Sequence, residues 1–350
     1  MLEDVGSAVL TDLFEPQAEP EPAQYVDRPR AIEPGLSFGD KVFRHGTRAI
    51  GALVLVLTGS IGIFLGLQLI PTVRRYGLGF FTQTQFDPGR NVVGIASAIV
   101  GTIEIAIIAL VIAFPLAVGT ALFVSEYAPA GVKSILISML DLMAAIPSII
   151  YGVWGVAFLQ GQLLFVARWL SQYLGWLPFF KVHGADPRGA TFPQYRYELS
   201  AFVAGVVVAM MVVPLACSVM RNVFTQAPMG EREGALALGS TRWGMVRAVV
   251  LPYGRGGIIG GTMLGLGRAL GETVAVLLII SLDFGLKIRI LENGSVTISS
   301  LIADRFGDAT SSQLSALLAA GFVLFLMTLV VNTLAAMVVS RSRSGAGLDV

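Results

Sequence analysis

The chain has 350 residues, of which 55% are hydrophobic and only 13% are charged, and its mean hydropathy is +0.75. A soluble domain carries about 25% charged residues, so this composition excludes a soluble globular protein and indicates an integral protein of a lipid bilayer. The net charge of +1 gives no overall field that would favour nucleic acid as a partner. The single cysteine, Cys217, excludes an intrachain disulfide.

The N-terminal part of the chain differs in kind from the rest. Residues 1–46 are rich in acids and prolines and poor in apolar residues, a composition typical of disorder. We expect a cytoplasmic tail here that ends in a short juxtamembrane helix. Lys41, Arg44 and Arg48 flank the start of the first apolar segment, and positive charge there favours a cytoplasmic N-terminus.

Six apolar segments follow, each long enough for the ~20 helical residues that cross a hydrocarbon core of about 30 Å. The period-two alternation of a transmembrane β-barrel is absent from them. We therefore predict an all-α integral membrane protein with six transmembrane helices and both termini in the cytoplasm. The expected parts are a first transmembrane helix over 47–71, a core over 94–340 and a cytoplasmic tail over 341–350, with spans at about 49–71, 94–124, 135–159, 199–220, 256–282 and 314–340.

The connections between these segments carry two further patterns. The outer connection 160–198 holds many aromatic residues, and it is either an interfacial amphipathic segment or a packed cap. The inner connection 228–252 reads PMGEREGALALGSTRWGMVRAVVLP, which is too polar to cross a membrane. Gly239 suits the left-handed position after a helix, and Ser240 or Thr241 suits the cap of a second helix. A helix, a turn and a helix that stops before the proline at 252 are predicted.

The inner connection resembles the EAA loop of bacterial ABC-importer permeases. Glu233, Ala235 and Gly239 match that pattern, and Gly234 stands where the family usually has alanine. In that family the short helix docks into a cleft on a cytoplasmic ATPase subunit. The resemblance therefore implies an ATPase-coupling surface made of Glu233, Gly234, Ala235, Leu238 and Gly239. The alternative is an ordinary cytoplasmic helical hairpin.

The chain has no nucleotide site of the usual kind. It contains no G-x-x-x-x-G-K-[ST] loop and no Gly-Lys dipeptide, so it lacks the usual device that holds ATP phosphates. We expect a transporter subunit that is not an enzyme and has no cofactor of its own, with ATP and magnesium bound by partner ATPase subunits. An intramembrane metalloprotease would need histidines, which the predicted spans lack, and a passive channel would not need the coupling loop.

Two charges interrupt the otherwise uncharged stretch 256–282: Arg268 and Glu272. A charge at a bilayer centre costs roughly 2.5–3.5 kcal/mol on insertion scales, so their helix face, which Gly261 and Gly265 share, should meet other helices or a water-filled path. Residues four apart on a helix can pair, and the planar donors of arginine suit an oxyanion. Our hypothesis is that a passing anion competes with Glu272 for Arg268. The alternative is a fixed structural ion pair.

Two more polar residues within the spans are candidates for the pathway. Glu104 lies in the second span, where it could pair with Arg268, be protonated or face a water-filled vestibule; we favour packing or pairing over contact with an anion. Ser148 follows Pro147, where the helix is expected to break and to free backbone groups. Its hydroxyl could meet an oxyanion, or it could simply pack between helices.

Three stretches indicate which importer family is the most similar. The first is the run 86–130, which begins with FDPGRNVVG; the second is LDLMAAIPSIIYGVWG; and the third is GLGRALGETVAVLL. Together they resemble the PstC-type permease family of the phosphate-specific ABC importer, over about residues 40–340. The resemblance implies a type I ABC-importer permease fold and import of inorganic phosphate across the bacterial cytoplasmic membrane by alternating access. It also implies a PstA-type permease, two PstB-type ATPases and an extracytoplasmic PstS-type phosphate-binding protein as partners. A related importer of sulfate, molybdate or phosphonate is the alternative.

Overall fold

The computed structural model describes residues 37–189 and 192–342. Most of the predicted N-terminal tail and nearly all of the predicted C-terminal tail lie outside the described residues. Contacts between Cα atoms divide the chain after Val56 into two compact units. The first unit is described only over 37–56, where all but the first residue belong to one helix.

The second unit is built almost wholly from helices. A short antiparallel hairpin, β1 (Phe86–Asp87) with β2 (Val92–Val93), pairs Phe86 with Val93. The helices are α1 (Phe38–Tyr76, which begins in the first unit), α2 (Gly79–Thr82), α3 (Ala96–Leu122), α4 (Ala130–Ala145), α5 (Ser148–Trp154), α6 (Gln160–Leu174), α7 (Ala201–Thr225), α8 (Met229–Ala237), α9 (Arg242–Met245), α10 (Leu251–Gly271), α11 (Val274–Ile279), α12 (Ile298–Arg305) and α13 (Ser311–Ser342). Wider π-helical turns occupy Phe123–Tyr127, Gly155–Leu159 and Val246–Val250.

Five helices in the described part of the chain are long and apolar enough to cross a membrane: Phe38–Tyr76, Ala96–Tyr127, Ser148–Leu174, Ala201–Thr225 and Ser311–Val338. They confirm the all-α membrane class and four of the six predicted spans. The first prediction was too short, because the juxtamembrane segment and the span form one helix of 39 residues.

The third predicted span was wrong in its bounds, and the fifth was wrong as a continuous helix. The third is interrupted between α4 and α5, and the long apolar helix begins only at Ser148 and runs to Leu174. The fifth is divided into α10 and α11, with a break at Glu272 and Thr273. The wrong spans arise because hydropathy measures composition and is insensitive to where the backbone leaves the helix.

The core lies between α3 and α7. A stripe of alanines on α3 is fully buried, with one alanine every four residues: Ala109, Ala113, Ala117 and Ala121. On α7, a Cβ added at Gly205 would lie 2.4 Å from the side chain of Ile108. Small residues at this spacing let two helices approach closely, and α7 is the most buried of the five long helices.

The glycines of α10 also pack against α7. A Cβ at Gly257 would lie 2.5 Å from Val223, and one at Gly265 would lie 2.5 Å from Val212. The glycine spacing therefore serves the close helix approach that the sequence predicts. This contact fixes the position of α10 as far as the turn that carries Arg268.

The first part of the predicted connection 160–198 continues the long helix to Leu174 and leaves Phe165, Trp169 and Trp176 exposed, and only its later part is a packed segment. The Tyr197 side chain is fully buried, and its hydroxyl donates to Ser171 Oγ at 3.2 Å. Burial raises the pKa of this phenol above its ordinary value. Backbone hydrogen bonds join the segment to the later connection, with Ile290 N donating to Phe179 O and Asn293 N donating to Arg196 O. Of the two predicted alternatives, the packed cap is observed for the later part of the connection and not for the aromatic stretch before it.

Candidate functional site

The first helix break separates α4 from α5 at Ile146 and Pro147. Both residues have extended backbones, with ψ of 128° and 141°. A residue before proline is biased away from the helical region, and the proline itself has no N–H to donate. The Tyr151 hydroxyl crosses the break and donates to the Met143 carbonyl at 2.9 Å. This break, which the sequence predicts, thus has a side chain that satisfies one of its freed carbonyls.

The second break separates α10 from α11 at Glu272 and Thr273, where the chain has no proline. Glu272 has an extended backbone with ψ of 125°, and its side chain is buried. Its Oε1 accepts from Ala275 N at 3.4 Å, and its carbonyl accepts from Ser299 Oγ at 2.8 Å. The backbone groups that leave the helix are therefore satisfied inside the protein, as a membrane interior demands.

A cluster of buried hydroxyls at the start of α12 holds the second break in place. Thr297 and Ser300 form a reciprocal capping box. Ser299 bonds the Glu272 carbonyl, and Ile298 N donates to Thr102 Oγ1 of α3 at 3.0 Å. The start of α12 thus links α3 to the break after α10.

The two breaks lie beside each other because α5 packs against α11. A Cβ added at Gly152 would lie 2.9 Å from Ala275 Cα, so a side chain of any size would force these helices apart. Gly152 is one turn after Ser148, and Ala275 follows Glu272 by three residues. The fold therefore brings Ser148 and Glu272, predicted as site residues from distant parts of the sequence, into one region.

Arg268 lies at the last turn of α10 and is exposed. Its charge acts on the Tyr151 hydroxyl of the first break. Within residues 37–189 and 192–342, its guanidinium makes no hydrogen bond or ion pair, and the predicted pair with Glu272 is wrong. The chain leaves the helix after Glu272, and the Glu272 carboxylate accepts from Ala275 N of the next helix instead of meeting Arg268. The five donors of this arginine remain available.

The predicted coupling hairpin forms at the inner connection. Helix α8 begins after Pro228, and Gly239 takes the left-handed conformation with φ of +82°. Thr241 caps the next helix, since its Oγ1 accepts from Gly244 N at 3.1 Å. Ala235 packs against the core, whereas the other residues predicted to couple are exposed: Glu233, Gly234, Leu238 and Gly239.

One face of this hairpin carries apolar side chains that no described residue covers. Leu238 is 91% exposed, and Met229 and Leu236 are also exposed. The predicted helix stop at Pro252 is wrong, because the helix that starts at Arg242 continues without interruption into α10. A π-helical turn over Val246–Val250 precedes the proline, and such a turn accommodates the hydrogen bond that proline cannot donate.

The sequence of this chain matches a known family of transport proteins. The family model described as "Binding-protein-dependent transport system inner membrane component" matches residues 114–344. The chain belongs to this family. As a member of this family, the chain is a permease component of a transport system.

Several curated relatives of the permease are phosphate transport proteins. "Phosphate transport system permease protein PstC 2" of Mycobacterium tuberculosis is 39% identical over 301 residues, which cover 85% of this chain and 90% of that protein. PstC of Xylella fastidiosa is 41% identical over 303 residues, covering 86% and 91%. PstC of Haemophilus influenzae is 37% identical over 309 residues, covering 88% and 95%.

A solved structure shares the fold of the permease. It is a bacterial ABC transporter involved in the import of the acidic polysaccharide alginate, and one of its chains matches with a TM-score of 0.53 and 17% identity. The match covers 86% of this chain and 99% of that chain. At this identity the likeness concerns the fold alone, which is the type I ABC-importer permease fold.

Two predicted pathway residues of the permease have no strong partner. Glu104 is half-buried, and its Oε1 is buried without a hydrogen-bond partner in the described part of the chain. Of the alternatives considered for Glu104, pairing with Arg268 is not observed, since no such ion pair forms between these described residues. Ser148 is half-buried at the first turn of α5, and its hydroxyl makes no hydrogen bond to the described residues.

Sequence reasoning missed the residues that connect the elements. Tyr151, Ser299 and Thr102 are ordinary small or aromatic polar residues in the sequence, and only their partners reveal their roles. Glu126 and Arg232 form a buried ion pair between the end of α3 and the coupling hairpin. Their opposite charges at the inner ends of two segments were the one available signal, but they are 106 residues apart.

Proposed function

We propose that this permease forms one half of the translocation pathway for inorganic phosphate, imported across the bacterial cytoplasmic membrane. The names of the PstC relatives support phosphate as the transported ion. The observation that carries the proposal is the exposed Arg268 at the end of an apolar helix, next to two helix breaks. An arginine in such a position is far too costly to face lipid, so it faces a water-filled path or a partner subunit.

Arg268 supplies the chemistry that an oxyanion requires. Its planar guanidinium matches the oxygens of phosphate, and such charge-assisted hydrogen bonds are about twice as strong as neutral ones. Because Glu272 is turned into the break, where it accepts from Ala275 N, it does not hold the arginine in this conformation. The anion thus meets donors that no carboxylate of the described residues occupies. Binding that is released on a later conformational change suits transport better than a permanent site.

The partners follow from the family and from the exposed hairpin. A PstA-type permease completes the pathway, and two PstB-type ATPases bind ATP and magnesium. An extracytoplasmic PstS-type protein delivers phosphate from outside. The exposed apolar side chains of Met229, Leu236 and Leu238, with the acidic Glu233 beside them, suit docking on an ATPase. Both termini of this chain are proposed to lie in the cytoplasm with that ATPase. Closure of the ATPase dimer would switch the opening by rigid-body movement.

The test is ATP-dependent uptake of radiolabelled phosphate by the complete complex in liposomes. We expect Arg268→Ala to reduce uptake about 10- to 100-fold, which corresponds to the loss of hydrogen bonds to a charged ligand, while the complex still assembles. Arg268→Lys should retain part of the activity, because it keeps the charge and loses the planar donors. Arg221→Met, at the inner end of α7, is the matched control and should transport at the parental rate.

Competing anions distinguish phosphate from its analogues. Excess unlabelled phosphate should abolish uptake of the label, whereas sulfate, molybdate and phosphonate should leave it nearly unchanged. Strong competition by one of these anions, together with its own ATP-dependent uptake, would assign the permease to that ion instead. Parental uptake by the Arg268→Ala complex would contradict the role of the arginine.

A further inference from the structure

Glu126 and Arg232 form an ion pair that joins the coupling hairpin to a helix far away in sequence. Glu126 lies in the π-helical turn Phe123–Tyr127 that follows α3, and Arg232 lies on α8. Arg232 Nη1 is 3.3 Å from Glu126 Oε2, and the two side chains are only 14% and 5% exposed. This is the most buried of the ion pairs between described residues.

Arg232 also contacts a third element. Its Nη2 donates to the carbonyl of Phe224, at the end of α7. The Phe224 ring is fully buried, and it lies where a Cβ on Gly254 of α10 would be. The planar guanidinium therefore bonds the ends of α3 and α7 at once, through donors held in a fixed planar geometry that lysine lacks.

The geometry of the pair argues against a role in stability alone. Glu126 Oε1 and Arg232 Nε are both buried and lack a hydrogen-bond partner within the described chain. An ion pair removed from water recovers its desolvation cost only when its remaining polar atoms are also satisfied, and apolar replacements are often equally stable. A pair with two unsatisfied atoms adds little to the stability of the fold. It does connect α8 to the end of α3 through two specific side chains.

The far end of α3 leads to the candidate site. Helix α8 directly follows α7 in the sequence and is joined through α9 to α10, whereas α3 lies far from it in the sequence. At its other end, α3 presents Thr102 to Ile298 N at the start of α12. The next residue, Ser299, holds the Glu272 carbonyl at the break beside Arg268. A continuous set of contacts thus runs from the coupling hairpin through α3 to the second helix break.

We propose that the Glu126–Arg232 ion pair transmits displacement of the coupling helix to α3, and through α3 to the break at Glu272. This inference rests on the proposed coupling to partner ATPases. Glu126 and Arg232 are positioning residues: they act on the pathway through α3 and do not contact the transported ion. Without the pair, ATP hydrolysis would move α7 and α10 while α3 lagged behind. ATP would then be hydrolysed without a matching uptake of phosphate.

The experiment measures the number of ATP molecules hydrolysed per phosphate taken up, in liposomes that contain the complete complex and the binding protein. The variants are Glu126→Gln, which keeps the shape of the side chain and removes its charge, and Arg232→Lys, which keeps the charge and loses the planar set of guanidinium donors. We expect ATP hydrolysis within about twofold of the parent and uptake about tenfold lower in both variants. The ratio of ATP to phosphate then rises about tenfold.

The matched control is Arg221→Lys, at the same inner end of α7, where the side chain donates to the neighbouring Asn222. It should keep the parental ratio. If the pair serves only stability, the yield of complex and both rates fall in parallel and the ratio stays parental, which would overturn the inference. Should Glu126→Gln give no complex, Arg232→Lys decides alone, and a parental ratio there overturns the inference. A parental complex without ATP-dependent phosphate uptake would overturn the proposed function as well.

Discussion

The two helix breaks of this permease lie side by side but have different causes. The break at Ile146 and Pro147 is local, because proline cannot continue the hydrogen-bond pattern of α4. The break at Glu272 and Thr273 contains no proline, and its freed carbonyl is bonded by Ser299, 27 residues further along the chain. The first break would persist in an isolated peptide, whereas the second requires the folded protein around it.

This difference shows how a membrane protein can place an irregular backbone at depth. A broken helix in a low-dielectric interior costs several kcal/mol for each unsatisfied group. At the first break the protein keeps that cost low with a residue that has no N–H to satisfy. At the second it relies on a hydroxyl from α12, so that the position of Glu272, and of Arg268 before it, depends on distant elements.

The largest expected effect comes from separating the two breaks. Gly152→Leu would place a side chain where α11 packs, since even a Cβ lies 2.9 Å from Ala275 Cα. Overpacking of this kind costs about 3 kcal/mol, and uptake should be lost as the breaks move apart. The measurement is the thermal unfolding midpoint and the uptake rate of the purified complex.

Gly161→Leu provides the control for that substitution. Gly161 lies on the same long helix, Ser148–Leu174, and a Cβ there meets no atom within 4 Å. We expect it to unfold at nearly the parental midpoint. Equal effects of the two substitutions would show that contact between the breaks is not the critical feature.

The comparison between the breaks is tested most directly by two serines. Ser299→Ala leaves the Glu272 carbonyl without its donor and should destabilise the protein by about 2 kcal/mol. Ser148→Ala removes a hydroxyl that has no hydrogen bond to the described residues, so it should leave stability unchanged. Unfolding midpoints of the two complexes would provide the evidence. If Ser299→Ala were as stable as the parent, the second break would not depend on α12.

The smallest of the expected effects concerns the hydroxyl that crosses the first break. Tyr151→Phe removes the donor to the Met143 carbonyl and should cost about 1 kcal/mol, as for a single neutral hydrogen bond. Because Pro147 still prevents the helix from continuing, the break itself should persist and uptake should fall less than with Ser299→Ala. A larger loss of uptake than with Ser299→Ala would reverse our ranking of the two breaks.

Sequence reasoning succeeded where the deciding residues are close together in the chain. The turn at Gly239 and the cap at Thr241 are local signals, and both are present in the structure. It failed at Pro252, where a π-helical turn carries the helix through the proline. It also failed for the pair of Arg268 and Glu272, because the break gives the Glu272 carboxylate another partner, Ala275 N.

The sequence by itself determined the membrane class, the long apolar helices, the coupling hairpin and the break at Pro147. Each of these depends on composition or on residues a few positions apart. Only the tertiary structure decided that α10 ends at Gly271, that Arg268 is unpaired among the described residues and that Glu126 meets Arg232. The physical reason is that a backbone group or a charge can leave its local partner in an apolar interior only where another part of the fold offers a replacement.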